Sequence, residues 1–112
     1  MKYIALIYYD PAAAPQSGSK MNEEYFAFTR RAMEAGVMKG GDALHPPATA
    51  TVVRTRHGKV ETMDGPFAET KEQLGGYYVF DCADLDEAIR WVADIPGAKI
   101  GAIEVRPLVV FE

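Results

Sequence analysis

Cysteine, clustered basic residues and long apolar runs are all scarce in this chain. Cys82 is the only cysteine, so no internal disulfide can form, no set of thiolates can hold a metal, and a reducing compartment is the simpler expectation. No apolar stretch approaches the roughly 20 residues that span a bilayer. These shortages predict a cytoplasmic protein with no membrane partner.

The charge balance is acidic, with a formal net charge of −4 and a pI of about 5.2. Nucleic-acid surfaces need clustered Lys and Arg, and only Arg54, Arg56 and Lys59 lie close together. A solvated hairpin tip explains these three residues. The chain also has no phosphate-binding glycine loop ahead of a helix, no HExxH and no nucleophile elbow. We therefore expect no nucleic-acid partner, no cofactor and no metal.

The apolar content, in contrast, is ample, since 48% of the 112 residues are hydrophobic. A chain of this length and composition can bury about two-thirds of its unfolded surface. We expect one domain over residues 1–112.

The hydrophobic periodicity alternates between strand and helix. Apolar runs predict strands, a 3.6-residue period that ends at Gly36 predicts a first helix, and Asp84 with Glu87 predicts a capping box for a second. The predicted strands are 2–9, 37–44, 51–55, 59–63, 73–81 and 99–111, with a loop at 10–20 and a first helix that begins at Asn22. This order predicts an α+β fold with the ferredoxin-like split βαβ sheet and two helices on one face.

A two-residue turn, His57-Gly58, joins two of these strands. Its glycine favours the primed turn that matches the twist of a hairpin. Counting outward from this turn places Arg54 opposite Glu61, so the register is predicted as well.

The two helices can cover only one face of the sheet, yet apolar residues occupy both faces of strands 2–9 and 73–81. An uncovered apolar face favours a partner. A second copy packed sheet to sheet would make a homodimeric α+β barrel. The alternative is that the C-terminal strand or the loop at 10–20 folds over this face.

Residues 63–72, which read MDGPFAETKE, and the Gly75-Gly76-Tyr77 that follows resemble the signature of the DGPF subgroup of the YCII-related proteins. The segments GGDAL at 40–44 and DLDEA at 84–88 also resemble it, so the resemblance covers essentially the whole chain. It implies a ferredoxin-like fold and a sheet-to-sheet dimer.

For function, the resemblance implies acid–base chemistry by a histidine on the first helix together with an aspartate, and one branch of the family dehydrochlorinates a chlorinated hydroxyquinol. The first helix here reads NEEYFAFT at 22–29 and contains no histidine, so that dyad does not carry over. Other members are fused to, or encoded beside, sigma-type transcription factors, which implies a regulatory alternative.

Asp64 in the DGPF turn and His45 are the candidate catalytic residues. Asp64 is expected either to stabilise its own turn as an Asx-turn or to take part in ligand binding or proton transfer. His45 is either a loop residue or a base, because a neutral imidazole accepts protons near pH 7. If their two loops meet, the pair substitutes for the missing dyad.

Five further residues are candidate ligand contacts: Phe67, Lys71, Tyr78, Glu104 and Arg106. Phe67 and Lys71 belong to the DGPF segment, where a lysine flanked by acids keeps its charge and suits an anion. Glu104 and Arg106 share one face of the last strand, and Tyr78 is expected to wall a cavity with them. Plain interface packing is the alternative.

The leading hypothesis is a homodimer that binds a small organic molecule in a cleft at the sheet or dimer interface. It includes a cofactor-independent acid–base enzyme of lyase or hydrolase type. The alternative is a non-catalytic accessory or regulatory module that works with a sigma-type transcription factor. The sequence alone leaves the choice between enzyme and accessory module open.

Overall fold

The computed structural model describes residues 1–12 and 19–111. Within this part of the chain, six strands and two α-helices follow one another along the sequence. They are β1 (Lys2–Tyr9), α1 (Ser19–Glu34), β2 (Met38–Ala43), β3 (Thr51–Arg56), β4 (Lys59–Asp64), β5 (Gln73–Asp81), α2 (Leu85–Ala93) and β6 (Ala102–Pro107). Short 3-10 helices occupy Pro47–Thr49 and Pro96–Lys99.

Four of the strands form one antiparallel sheet in the order β2-β5-β1-β6, with β3 and β4 paired separately as a hairpin. The two strands richest in apolar residues, β1 and β5, therefore lie in the centre of the sheet. This order is that of a ferredoxin-like α+β fold, as predicted, with the hairpin inserted between β2 and β5.

The core lies between the two helices and one face of this sheet. Phe28 of α1 is 1% exposed, and its ring centroid lies 5.5 Å from that of Tyr78 and 6.2 Å from those of Phe80 and Trp91. Tilted and edge-on ring pairs of this kind are favoured by the aromatic quadrupole. Trp91 belongs to α2, so both helices pack on the same face.

The opposite face of the sheet carries no helix, and we call it the open face. On it Ile4 pairs with Val79, and Leu6 pairs with Tyr77. All four of these residues are only partly buried. The prediction that apolar residues occupy both faces of the central strands is therefore confirmed.

The hairpin formed by β3 and β4, which we call the arm, has the predicted turn and register. His57 and Gly58 have φ values of 52° and 76°, which is the left-handed pair that a primed turn requires. Arg54 lies opposite Glu61 as expected. No hydrogen bond between described residues joins the arm to the four-stranded sheet. The radius of gyration is 16.0 Å, whereas a compact chain of this length has a radius of gyration of about 13 Å.

Three boundaries differ from the prediction by three or more residues. Helix α1 begins at Ser19 rather than Asn22, so the loop predicted at 10–20 is wrong at its end, and residues 13–18 of that loop lie outside the described part. The last strand covers only Ala102–Pro107 instead of 99–111. The Pro96–Lys99 3-10 helix delays its start. After Pro107, one hydrogen bond from the Leu108 N–H to the Lys2 carbonyl at 2.9 Å follows the last residue of the strand.

The predicted C-terminal end of α1 and the predicted N-terminal cap of α2 are confirmed. Gly36 has a φ of 77° after α1, and the Asp84 carboxylate accepts the N–H of Glu87 at 2.9 Å. The Glu87 carboxylate accepts the N–H of Ala83 at 3.0 Å, one residue earlier than an ordinary capping box. Neither α-helix of the described residues is long and apolar enough to cross a membrane.

Candidate functional site

A cavity of about 1000 Å³ opens between α1 and the adjoining ends of β1, β2 and β5. We call it the α1 cavity. Tyr25, Phe26 and Thr29 line its helix side, and residues 41–44 and 75–78 line its sheet side. Tyr25 and Thr29 are four residues apart in α1, so they lie one turn apart on the same helix face. The helix therefore presents two hydroxyl-bearing side chains to one space.

Two glycines allow tyrosines to pack at this cavity. A Cβ atom at Gly97 would lie 2.6 Å from the hydroxyl oxygen of Tyr25, and one at Gly41 would lie 2.5 Å from the Cδ1 atom of Tyr78. Both distances are far below the 3.5–4.0 Å of favourable contact between non-bonded heavy atoms. Any larger residue at these positions would therefore displace the tyrosines.

Three hydroxyl groups meet in the α1 cavity. The hydroxyl oxygen of Tyr25 accepts the N–H of Gly97 at 3.1 Å, and the hydroxyl oxygens of Thr29 and Tyr78 lie 3.1 Å apart. Burial has the largest effect on the Tyr25 hydroxyl and raises its pKa. The hydrogen bond from the Gly97 N–H lowers this pKa, and the nearby Tyr78 raises it. Tyr25 is therefore a neutral phenol at physiological pH.

One carboxylate lies beside the α1 cavity, at the edge of the sheet and on its open face. Tyr77 and Asp42 lie opposite each other on β5 and β2, and the Tyr77 hydroxyl donates to the Oδ2 atom of Asp42 at 3.2 Å. This hydrogen bond, followed by the carboxylate charge, raises the pKa of Tyr77. Among the described residues that border the cavity, Asp42 is the only one with a charged side chain, and its pairing with Tyr77 places that carboxylate on the open face. The lining is otherwise apolar, amide or hydroxyl in character.

The DGPF turn lies away from the α1 cavity. Asp64 ends β4 opposite Thr51, and Gly65, with a φ of 101°, donates its N–H to the carbonyl of Ala50 at 2.7 Å. The Asp64 carboxylate is exposed and makes no hydrogen bond or ion pair with any residue in the described ranges. The backbone of Gly65, and not the predicted Asx-turn of Asp64, therefore holds this corner.

His45 is exposed on the link that leaves β2. Its neighbour Leu44 lines the α1 cavity and donates its N–H to the carbonyl of Gly75 at 2.9 Å. Neither a hydrogen bond nor an ion pair joins His45 to Asp64 within residues 1–12 and 19–111. The predicted replacement dyad is thus not preformed.

The other two candidates of the DGPF segment have local partners. The Arg54 guanidinium lies 5.4 Å from the ring centroid of Phe67, which remains 77% exposed. The Lys71 ammonium lies 3.8 Å from the Oδ2 atom of Asp10, whose carboxylate also accepts the N–H of Ala12 at 2.9 Å. Because the Lys71 side chain is 85% exposed, this ion pair contributes little stability.

The sheet separates Tyr78 from Glu104 and Arg106. Tyr78 packs against Phe28 on the helix side, whereas Glu104 and Arg106 pair with residues of the open face and lie 3.7 Å from each other as an ion pair. The expectation that these three residues wall one cavity is therefore wrong within one protomer. Of the seven predicted site residues, Tyr78 alone lines the α1 cavity.

Sequence reasoning missed Tyr25, Thr29 and Gly97. Tyr25 lies three residues before Phe28 in the apolar period of α1, and it packs against the core. The available signal was its polar end, since a half-buried tyrosine usually finds a partner for its hydroxyl. The partner, Gly97, lies 72 residues away and follows from no local pattern. No cluster of His, Cys, Asp and Glu that could hold a metal occurs in the described part of the chain.

The model of the YCII-related domain matches residues 1–112, and this chain therefore belongs to the YCII-related family. An uncharacterized protein of Rhizobium meliloti (strain 1021) is 37% identical to it over 118 aligned residues, which cover 100% of this chain and 95% of the relative. The family predicted from residues 63–72 is confirmed. Assignment to the DGPF subgroup stays a prediction.

Among solved structures, the chain is similar to 5-chloro-2-hydroxyhydroquinone dehydrochlorinase from Burkholderia phenoliruptrix AC1100, in complex with 2,5-dihydroxybenzoquinone. The TM-score is 0.61 at 13% sequence identity, with 97% of this chain and 94% of that chain covered. At this identity, the likeness supports the ferredoxin-like fold alone.

Proposed function

We propose that this protein, as a single YCII-related domain, binds a small organic molecule in the α1 cavity. The cavity itself carries the proposal. Its volume of about 1000 Å³ reaches the upper end of the roughly 300–1,000 Å³ that small-molecule sites occupy. Its lining is also of the expected kind, with apolar and aromatic walls and a few convergent polar groups.

The shared fold gives this proposal further support. The dehydrochlorinase that this chain resembles was solved with 2,5-dihydroxybenzoquinone, a molecule with a single six-membered ring. The α1 cavity has room for a ring of that size. A small cyclic molecule is therefore the first kind of ligand to test.

The proposal extends to cofactor-independent acid–base chemistry. Proton transfer needs a donor and an acceptor within reach of the substrate. The lining supplies neutral phenols, and the Asp42 carboxylate lies beside the cavity on the open face of the edge strand β2. Asp42 accepts one hydrogen bond from Tyr77, and an ionised carboxylate retains further lone pairs. These groups take the place of the His45 and Asp64 pair as the favoured acid–base residues.

A homodimer also remains our proposal. The open face carries partly buried Ile4, Leu6 and Val79, and on the arm Val53 and Val60 are 61% and 69% exposed. A two-stranded hairpin alone is marginally stable in water, so a second copy that covers either surface would stabilise the chain. Light scattering should give about twice the 12.3 kDa of one chain at micromolar concentration, and a mass of one chain throughout the range would contradict the dimer.

The ligand proposal is tested with a thermal-shift series of single-ring compounds that includes 2,5-dihydroxybenzoquinone, benzoate and 4-hydroxybenzoate. A ligand at 100 times its Kd stabilises the native state by about 2.7 kcal/mol, which is an increase in Tm of roughly 10 °C for a chain of this length. At least one compound should raise the Tm and saturate.

The site is then tested by filling it. Ala43 of β2 lines the cavity, whereas Ala27 of α1 is exposed and does not. The variant Ala43→Trp should lose the response to the compound, and the matched variant Ala27→Trp should keep it. A response that survives in Ala43→Trp would place the ligand elsewhere, and no response in the wild type would contradict small-molecule binding and favour the accessory-module prediction.

A further inference from the structure

The hydroxyl groups of the α1 cavity hold more protons than their own hydrogen bonds use. The Tyr25 oxygen accepts the Gly97 N–H, so the phenol proton of Tyr25 is not used in that bond. Thr29 and Tyr78 share one hydrogen bond, and a pair of hydroxyls has two protons for that single bond. No acceptor in the described part of the chain takes either of the two remaining protons.

These two protons belong to groups that lie close together. Tyr25 and Thr29 occupy one face of α1, and Thr29 contacts Tyr78 directly. Tyr78 is near enough to Tyr25 to raise its pKa. Two O–H donors therefore serve the same region of the cavity.

From this juxtaposition we propose that Tyr25 and the Thr29–Tyr78 pair form a two-donor site for a carbonyl oxygen of the ligand. This inference rests on the proposed function, because it assigns the ligand of the same cavity. A carbonyl oxygen has two lone pairs and accepts both donors at once. The ligand class is accordingly a cyclic or aromatic molecule with a ring-attached or ring carbonyl.

The charge of the lining selects against other ligand classes. No Lys or Arg is among the described lining residues. A ligand with a localised negative charge would therefore lose its hydration on binding and gain no ion pair in return. The Asp42 carboxylate lies on the open face, where it accepts from Tyr77, so a cation in the cavity meets mainly donor groups. A neutral carbonyl complements the donors without either loss.

The site also has a chemical consequence. Two preorganised donors on one carbonyl oxygen stabilise negative charge that develops there when a base from the solvent, such as hydroxide, removes an adjacent proton. The pair would thus favour enolate-type chemistry over reactions that develop positive charge. This role uses only neutral hydroxyls, and it needs no histidine on α1.

The test uses three compounds with the same carbon skeleton: acetophenone, ethylbenzene and 1-phenylethylammonium. Calorimetric titration of the wild type should show acetophenone binding about 30-fold more tightly than ethylbenzene, which is what two net hydrogen bonds provide, and 1-phenylethylammonium binding most weakly. The infrared C=O stretch of bound acetophenone should move to lower frequency than in an apolar solvent.

The variants separate the two donors. Tyr25→Phe removes one donor and should reduce both the acetophenone preference and the infrared shift. Thr29→Val and Tyr78→Phe alone should each keep the second donor, because the surviving hydroxyl no longer spends its proton on its neighbour. Only the double variant Thr29→Val/Tyr78→Phe should lose that donor.

The outcomes distinguish the two proposals. If ethylbenzene and acetophenone bind the wild type equally, the carbonyl site is wrong while ligand binding in the cavity stands. If a single variant of the pair loses as much as the double variant, the proton count is wrong. If none of the compounds binds, the proposed function and this inference both fail. Should Tyr25→Phe not fold, the comparison of the two single variants with the double variant decides alone.

Discussion

Gly97 is the residue whose replacement tests the packing of the candidate site most directly. It is buried within the Pro96–Lys99 3-10 helix and donates its N–H to Tyr25 at 3.1 Å. In Gly97→Ala, the new Cβ would lie 2.6 Å from the Tyr25 hydroxyl oxygen and 3.3 Å from the Cγ2 atom of Ile7. The tyrosine must move, and its hydrogen bond to residue 97 lengthens or breaks.

The expected loss of stability is the balance of three effects. Overpacking a core costs about 1–3 kcal/mol, and loss of one hydrogen bond costs about 1 kcal/mol. Replacement of glycine by alanine restores about 0.4–1 kcal/mol through the unfolded chain. The net destabilisation is about 2 kcal/mol, which lowers the Tm by roughly 8 °C for a chain of this length.

The assay is a pair of thermal melts with a matched glycine control. Gly40→Ala in β2 introduces the same methyl group where no atom lies within 4 Å, so its Tm should stay close to that of the wild type. Acetophenone affinity should fall in Gly97→Ala only. Equal melting temperatures for Gly97→Ala and the wild type would refute the contact between Gly97 and Tyr25, and an equal decrease in Gly40→Ala would refute its specificity.

Two further predictions concern the core. In urea titrations, Phe28→Ala should lower the free energy of unfolding by about 3–5 kcal/mol, because the ring is 1% exposed. The control Met33→Ala, on the exposed side of α1, should change it by less than about 0.5 kcal/mol. Similar losses in the two variants would contradict the packing of Phe28 in the core. Burial raises the pKa of the Cys82 thiol to about 11, so the folded chain holds this proton more tightly than the unfolded chain does. The stability from this difference is complete below the unfolded pKa of about 8.5 and decreases as the pH rises toward 11. Iodoacetamide at pH 8.5 should therefore modify the native protein far more slowly than the urea-unfolded protein, and equal rates would show that the thiol is accessible.

Local sequence features predicted most of the fold because they act through neighbouring residues. The His57-Gly58 turn determines the register of the arm, and the Asp84 cap determines where α2 begins, each through hydrogen bonds within a few positions. The start of β6 was mispredicted because Lys99 and Ile100 are compatible with a strand but belong to the turn that Pro96 starts.

The candidate site was predicted less well, because its residues meet only in the folded chain. The DGPF segment attracted attention through its density of unusual residues, yet its backbone forms a corner, and its exposed side chains line no part of the α1 cavity. Tyr78 lines the α1 cavity, although the prediction placed it on one surface with Glu104 and Arg106. Strand alternation places it on the face opposite Glu104 and Arg106, and the pairing registers were needed to assign those faces.

By itself, the sequence determined the order of helices and strands, the turn of the arm, the helix caps and the family, since periodicity, turn residues and a continuous motif encode each of these locally. The tertiary structure alone decided where the cavity lies and which groups line it. Its hydroxyl cluster depends on the contacts of Tyr25 with Gly97 and of Thr29 with Tyr78, which join residues 72 and 49 positions apart. Such contacts arise only when α1 packs across the central strands, and no local pattern specifies that packing.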